Sequence, residues 1–314
     1  MTSSARITEI YPTDRVTLRE VGLRDGLQMV RSFPSTAAKK NWLELERAAG
    51  VRHFEIGSFL PAARYPQFAD LDEMISTTSS MDGVHSSALT LNERGLASAF
   101  ETDINEIVCV ISATEEHSQA NMRRSREAAV DLVRQAAEMR KQSSQKAVIN
   151  AAVAMAFGCS IAGRVDPAEV LRLAEACLEA GADIVGIADT VGYAGPDQVA
   201  GLASDMTALC GDLPFIVHLH DTRGMAIANA SAALDAGARV LDGSLGGLGG
   251  CPFAPGATGN VVMEDLAFLC ETKGFETGID LAALTAVRSV PTAEMPDEKL
   301  YGAIARAGTP DWKT

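Results

Sequence analysis

The chain has 314 residues, 47% of them hydrophobic and 22% charged, the make-up of a globular protein with a sizeable core. With 41 acidic against 27 Lys and Arg side chains, its formal net charge of −14 speaks against a nucleic-acid or anionic-membrane partner. Six scattered cysteines form no C-x-x-C pair, no apolar run reaches membrane-spanning length, and the opening MTSSARITEIYPTDR lacks the apolar core of a signal peptide, so a cytoplasmic protein is expected.

Residues 1–14 read as an N-terminal extension. From there on, short β-branched or apolar runs alternate with longer Ala/Glu/Lys/Leu stretches. Candidate strands lie at 15–21 (RVTLREV), 52–58 (RHFEIGS), 83–90 (GVHSSALT) and 106–113 (EIVCVISA), then at 147–157 (AVINAAVAMAF), 182–190 (ADIVGIADT), 215–222 (FIVHLHDT) and 238–245 (ARVLDGSL). The segments between them carry helix punctuation. STAAKKNWLELERAAG opens on a Ser/Thr cap and stops at Gly50; DPAEVLRLAEACLEAGA has Asp166 at a cap, Pro167 in the first turn and Gly181 at the stop; GMAIANASAALDAGA has the same glycine ending. RKQSSQKA (140–147) reads as a surface loop. Eight strand–helix units predict an α/β fold of the (β/α)8 TIM-barrel type in a single domain, 15–285, with 286–314 a C-terminal segment packing on or near it. A doubly wound open sheet is the alternative, but the turn after the first strand reads GLRDGLQ, not G-x-G-x-x-G.

In such a barrel the active site gathers at the carboxyl ends of the strands. Arg24 and Asp25 follow the first strand, Glu55 lies in the second, Asp189 ends the sixth, and His218 and His220 lie in the seventh. After the eighth comes GSLGGLGGCPFAPGATGN, which holds Cys251 and ends at Asn260. In VHLHD the two histidines share one face of the strand. They are either a core pair hydrogen-bonded to backbone or metal ligands, and the Asp-Thr that follows favours ligands. With Asp25 and the Asn260 amide they make a mixed N/O set suited to six-coordinate Mg²⁺, Mn²⁺ or Co²⁺; a thiolate zinc site is disfavoured by the single sulfur. Arg24-Asp25 is either a surface ion pair or, at its place after a strand, a guanidinium for an anionic or enolate oxygen. Cys251, flanked by Gly250 and Pro252, is either inert or an acid–base thiol.

The stretches EVGLRDGLQ, FEIGSF, IADTVG, VHLHDTRGMAIAN and GLGGCPFAPGATGNVVMEDL resemble the 3-hydroxy-3-methylglutaryl-CoA lyase family, within the metal-dependent barrel lyases and Claisen-type synthases, in the right order from about residue 15 to 285. The resemblance implies that Asp25, His218, His220 and Asn260 hold a divalent cation, Mg²⁺ or Mn²⁺, with Co²⁺ as a further option. It implies that Arg24 stabilises a thioester enolate, that Cys251 transfers protons, and that Glu55 and Asp189 line the site. Gln28 would line the same mouth. The implied reaction is retro-Claisen cleavage of a 3-hydroxy-3-carboxymethyl acyl-CoA to acetyl-CoA and a keto acid, by a homodimer. Citramalyl-CoA or a longer-chain 3-hydroxyglutaryl-CoA are alternative substrates, and a synthase or a catalytically silent CoA-binding barrel are alternative functions. The chain departs from the family pattern at Met29, Val30 and Arg31, in SFLPAAR where a lysine is missing, and in HDTRGMA. Those changes leave the metal set intact and touch the rim, where Arg223 is expected to bind a carboxylate or a CoA phosphate and Met29 and Met225 to offer adaptable apolar surface.

Overall fold

The structure, a computed structural model, describes residues 3–250 and 259–310. Eight parallel strands close into a barrel in sequence order: β1 Thr17–Glu20, β2 His53–Ser58, β3 His85–Thr90, β4 Glu106–Ser112, β5 Val148–Ala154, β6 Ile184–Asp189, β7 Ile216–Leu219 and β8 Val240–Gly243, with β8 pairing back onto β1. Helix α1, Ser3–Ile10, precedes the barrel. Outside it run α2 Thr36–Ala48, α3 Leu71–Ser79, α4 Glu93–Phe100, α5 Glu115–Met122, α6 Arg126–Gln142, α7 Pro167–Glu179, α8 Pro196–Cys210, α9 Ala226–Asp235 and α10 Met263–Thr272. The short helices α11 Leu281–Val287, α12 Ser289–Glu294 and α13 Ala303–Ala307 follow.

The helix punctuation works as its chemistry dictates. Ser35 Oγ accepts the Ala38 N–H at 3.2 Å at the start of α2, and Asp166 Oδ1 accepts the Ala168 N–H at 3.0 Å ahead of Pro167 in α7. The carboxyl ends of the strands differ most from the sequence reading at β5 and β7. β5 stops at Ala154 because Met155 turns into the left-handed region (φ 59°), its N–H donating to Thr190 Oγ1 at 2.9 Å. β7 stops at Leu219, where His220 leaves the ladder to bridge to Asn260.

Alternation along each strand sorts the side chains. On β4, Ile107, Cys109 and Ile111 are buried under the helices, while Glu106, Val108 and Val110 face inward. The inward layer near the amino ends is polar, where such barrels usually carry branched apolar groups. Arg19 lies 3.5 Å from both Glu106 and Asp242, and Asn150 Nδ2 donates to Glu106 Oε1 at 2.7 Å. Glu106 also accepts from Tyr11 Oη at 2.7 Å and lies 3.0 Å from His85 Nε2. Tyr11 and Ile7 pack with Val148, Ile184, Ile216 and Val240, so α1, read only as an extension in the sequence, plugs the amino-terminal mouth. At the other end of the chain, Arg288 pairs with Glu264 at 2.6 Å, the Tyr301 N–H donates to Gly246 O at 2.7 Å, and Asp265 accepts from the amides of Ala303 and Ile304.

Candidate active site and metal centre

After β1 the chain winds through one turn of π-helix, Gly22–Gly26, which carries Arg24 and Asp25 to the carboxyl-terminal mouth. Glu20 holds this turn from beneath: its Oε1 accepts the N–H of Gly22 at 2.6 Å and that of Leu245 at 3.1 Å, tying it to the loop after β8. One guanidinium links two carboxylates. Arg24 Nη1 lies 2.6 Å from Asp25 Oδ1 and Nη2 lies 2.7 Å from Glu55 Oε2, with Gln28 Oε1 accepting from Nη1 at 3.3 Å. Arg24, Asp25, Gln28 and Glu55 therefore face one cavity at the mouth.

Asp25, His218 and His220 each offer a ligand atom, all within 4.8 Å of one another. The two histidine Nε2 atoms face each other at 3.0 Å, and Asp25 Oδ2 lies 3.4 Å from His220 Nε2. His218 turns Nδ1 to Asp242 Oδ2 at 3.0 Å; a proton there leaves the Nε2 lone pair toward the cluster. Asn260 Nδ2 donates to Asp25 Oδ2 at 2.8 Å and to Leu248 O at 2.9 Å, while its Oδ1 is buried with no hydrogen-bond partner among the described residues. Converging imidazole nitrogens, a carboxylate and an unsatisfied amide oxygen are the donor set a divalent cation uses, so the residues fit such an ion. Close backbone approach is required here. A Cβ on Gly249 would stand 2.5 Å from Asn260 Nδ2, and one on Gly259 would stand 2.1 Å from Gly247 O.

The electrostatics follow from burial and neighbours. Burial alone would raise the Asp25 carboxyl, but Arg24 above all, then His220 and His218, hold it well below the usual carboxylate range. For Glu55 burial wins over Arg24 and Arg19, and its carboxyl is raised. Burial disfavours the charged form of His218, and the hydrogen bond to Asp242 more than offsets it, so this imidazole is raised.

Two expected residues are tied to the loop after β6. Asp189 accepts the N–H groups of Tyr193 and Ala194 at 2.8 and 3.0 Å, so its carboxylate, raised mainly by burial, folds the loop after β6. Arg223 donates to the carbonyls of Val191 and Gly192 at 3.0 and 2.9 Å and stacks 4.6 Å over the Tyr193 ring, which fastens it to that same loop on the surface. Met29 and Met225 are about half exposed at the rim. Cys251 lies outside the described residues; its chain neighbour Gly250 lines the cavity. The sequence reading passed over Asp242 and Arg19. Both are charged residues on inward strand positions, the signal that had picked out Glu55, and it was present in VLDG and TLRE as well.

Residues 15–290 match the family model described as HMGL-like. The chain is 36% identical over 276 residues to a hydroxymethylglutaryl-CoA lyase of Bacillus subtilis, spanning 87% of this chain and 91% of that protein. It is also 36% identical over 306 residues to an (R)-citramalyl-CoA lyase of Chloroflexus aurantiacus, spanning 94% of this chain and 95% of that protein. Among solved structures, an HMG-CoA lyase of Acinetobacter baumannii in complex with coenzyme A and 3-methylmalate superposes with a TM-score of 0.88 at 33% identity, covering 96% of this chain and 98% of that one.

Proposed function

The chain belongs to the HMGL-like family of carbon–carbon lyases, and from that premise we propose that it is a metal-dependent retro-Claisen lyase. Its substrate is a 3-hydroxy-3-carboxymethyl acyl-CoA such as 3-hydroxy-3-methylglutaryl-CoA, and its products are acetyl-CoA and a keto acid. The observation that carries this reading is the convergence of Asp25, His218 and His220 within 4.8 Å, next to the buried Arg24–Glu55 pair.

Asp25, His218, His220 and Asn260 would hold Mg²⁺ or Mn²⁺, which supplies Lewis acidity to the substrate's 3-hydroxyl and lowers its pKa. Glu55, raised by burial and facing the same cavity, orients Arg24 and is placed to take the hydroxyl proton. As that proton leaves, the C3–O pair becomes the carbonyl of the keto product, and the C2–C3 bonding pair passes to C2 as a thioester enolate. Arg24 stabilises the enolate oxygen inside a site where its charge is poorly screened. Cys251 then delivers a proton to C2, giving acetyl-CoA. Gln28 orients Arg24 from the cavity side. The reading includes a cytoplasmic homodimer; five free thiols among the described cysteines suit a reducing compartment. Cleavage of citramalyl-CoA by the same residues is a second reading, favoured by the extent of the match to the Chloroflexus protein.

The test is a panel of 3-hydroxyacyl-CoA thioesters assayed for acetyl-CoA release with Mg²⁺ or Mn²⁺. Stoichiometric acetyl-CoA and keto acid from at least one member are expected. CoA-thioester binding without turnover by metal-loaded protein would instead mark a silent barrel.

A further inference from the structure

Strands β4 to β7 are buried along nearly their whole length, and the few residues that break the pattern all face the cavity. They are Val110 on β4, Ala152 and Ala154 on β5, Ala188 on β6 and His218 on β7. The register makes them one arc: Val110 pairs with Ala152, and Ala188 pairs with His218. A wall of small side chains thus begins directly beside a metal-site histidine. Inward positions in such barrels are normally filled by bulky branched residues. Here β5 and β6 present two alanines, Gly186 and a third alanine, and the volume they do not fill stays open. The whole cavity, its charged mouth included, measures about 160 Å³, and the small residues of β5 and β6 set how much of its apolar side a substituent can take.

The wall is sided. Leu89 and Val108 extend it, and no charged side chain belongs to it, although Asn150 lies below Ala152 on β5; the charged groups Arg19, Arg24, Asp25, Glu55 and Asp242 come from β1, β2 and β8 and the turn after β1. His117 lines the same cavity, but burial lowers its pKa to about 4, so it is neutral at physiological pH. A carboxylate laid against the alanines would be desolvated with no cation beside it, at high cost. The tetrahedral C3 of the substrate carries four groups. The hydroxyl and the carboxylate arm belong with the charged side, and C2 leads to the thioester and out through the mouth. Only the fourth substituent remains for the alanine wall.

We propose that Ala152, Ala154 and Ala188 form the seat for the C3 substituent, and that this seat fits an apolar chain of several carbons better than a methyl group. The preferred substrate class is then a 3-hydroxy-3-alkyl acyl-CoA thioester with a longer alkyl or alkenyl group. The proposal rests on the lyase reading of the same site and specifies its substrate.

The experiment measures kcat/KM for acetyl-CoA release from 3-hydroxy-3-alkylglutaryl-CoA thioesters bearing methyl, propyl and isohexyl groups. A fitted methylene is worth about 10–200-fold, so the propyl compound should exceed the methyl compound by at least about tenfold. Ala152→Phe should cut the propyl-to-methyl ratio by more than about tenfold. Ala152→Val, a milder filling, should give an intermediate ratio if the larger side chain prevents folding. Turnover of the methyl thioester with the longer ones at least tenfold slower would overturn this proposal and leave the lyase reading standing. Acetyl-CoA release from none of them by metal-loaded protein would remove both.

Discussion

His218 Nδ1 and Asp242 Oδ2 stand 3.0 Å apart, and Asp242 in turn lies 3.5 Å from Arg19, whose other end reaches Glu106. The imidazole is thereby held in one orientation by a buried polar column running down the barrel axis. Partners of this kind typically contribute 10–100-fold to metal affinity. Asp242→Asn keeps the shape and removes the charge, so Mn²⁺ affinity measured by calorimetry should fall by about 10–100-fold. An unchanged affinity in a folded variant would mean the contact serves packing alone.

The ligands themselves make a sharper case. Chelator-stripped protein should be inactive and recover with Mg²⁺ or Mn²⁺. It should also melt earlier, because an ion at a hundred times its dissociation constant stabilises the folded state by about 2.7 kcal/mol. His220→Ala removes one of three converging donors and should abolish the metal-dependent rise in Tm. Full activity in excess chelator after verified metal removal would exclude the metal from the reaction.

A positioned acid–base group contributes on the order of 10²–10⁴ in rate. Cys251→Ser is therefore expected to lower kcat by that order while metal binding persists. Cys177 on α7 is the control: it is fully buried, and burial pushes its thiol up to about 12. Cys177→Ser should leave kcat nearly unchanged. Equal rates for wild type and Cys251→Ser would take the thiol out of the mechanism.

The barrel was legible because its signals are local. Caps such as Ser35 and Asp166, and glycine stops such as Gly50 (φ 107°), act within a few residues. The histidines were legible because a strand's two-residue period puts both on one face whatever surrounds it. Arg223 was harder, since it sits beyond the strand on an exposed turn. There the side chain's reach depends on what lies next to it, and the carbonyls of Val191 and Gly192 with the Tyr193 ring hold it against the loop after β6. Asp189 shows the same limit: its strand-end position was read correctly, but not that two loop amides would take both its oxygens. The substitutions at Met29, Met225 and Arg223 had directed attention to the rim for substrate differences. The open volume lies deeper, against alanines whose small size reads in sequence as ordinary strand filling.

Behind the Arg24–Asp25 turn, Glu20, Glu46 and Glu264 are all fully buried on β1, α2 and α10. Glu264 is paired with Arg288. Burial first and then Glu264 push Glu46 up to about 8, against the pull of Trp42 and Glu20, and Glu20 is raised by burial and by Glu46. At neutral pH the Glu20–Glu46 pair therefore holds a proton that the unfolded chain would release. A carboxyl raised on folding costs stability as pH climbs from its unfolded value, near 4.3, through its folded one. The loss falls between about pH 4.5 and 8 and is complete above that. At 1.36 kcal/mol per pKa unit it amounts to about 5 kcal/mol. Glu46→Gln keeps the shape without the titration. Its Tm should exceed that of the wild type by about 10 °C at pH 8.5, with the gap closing toward pH 5, as roughly 2 °C per kcal/mol implies. Parallel Tm–pH curves for the two proteins would show that Glu46 is not the group that holds the proton.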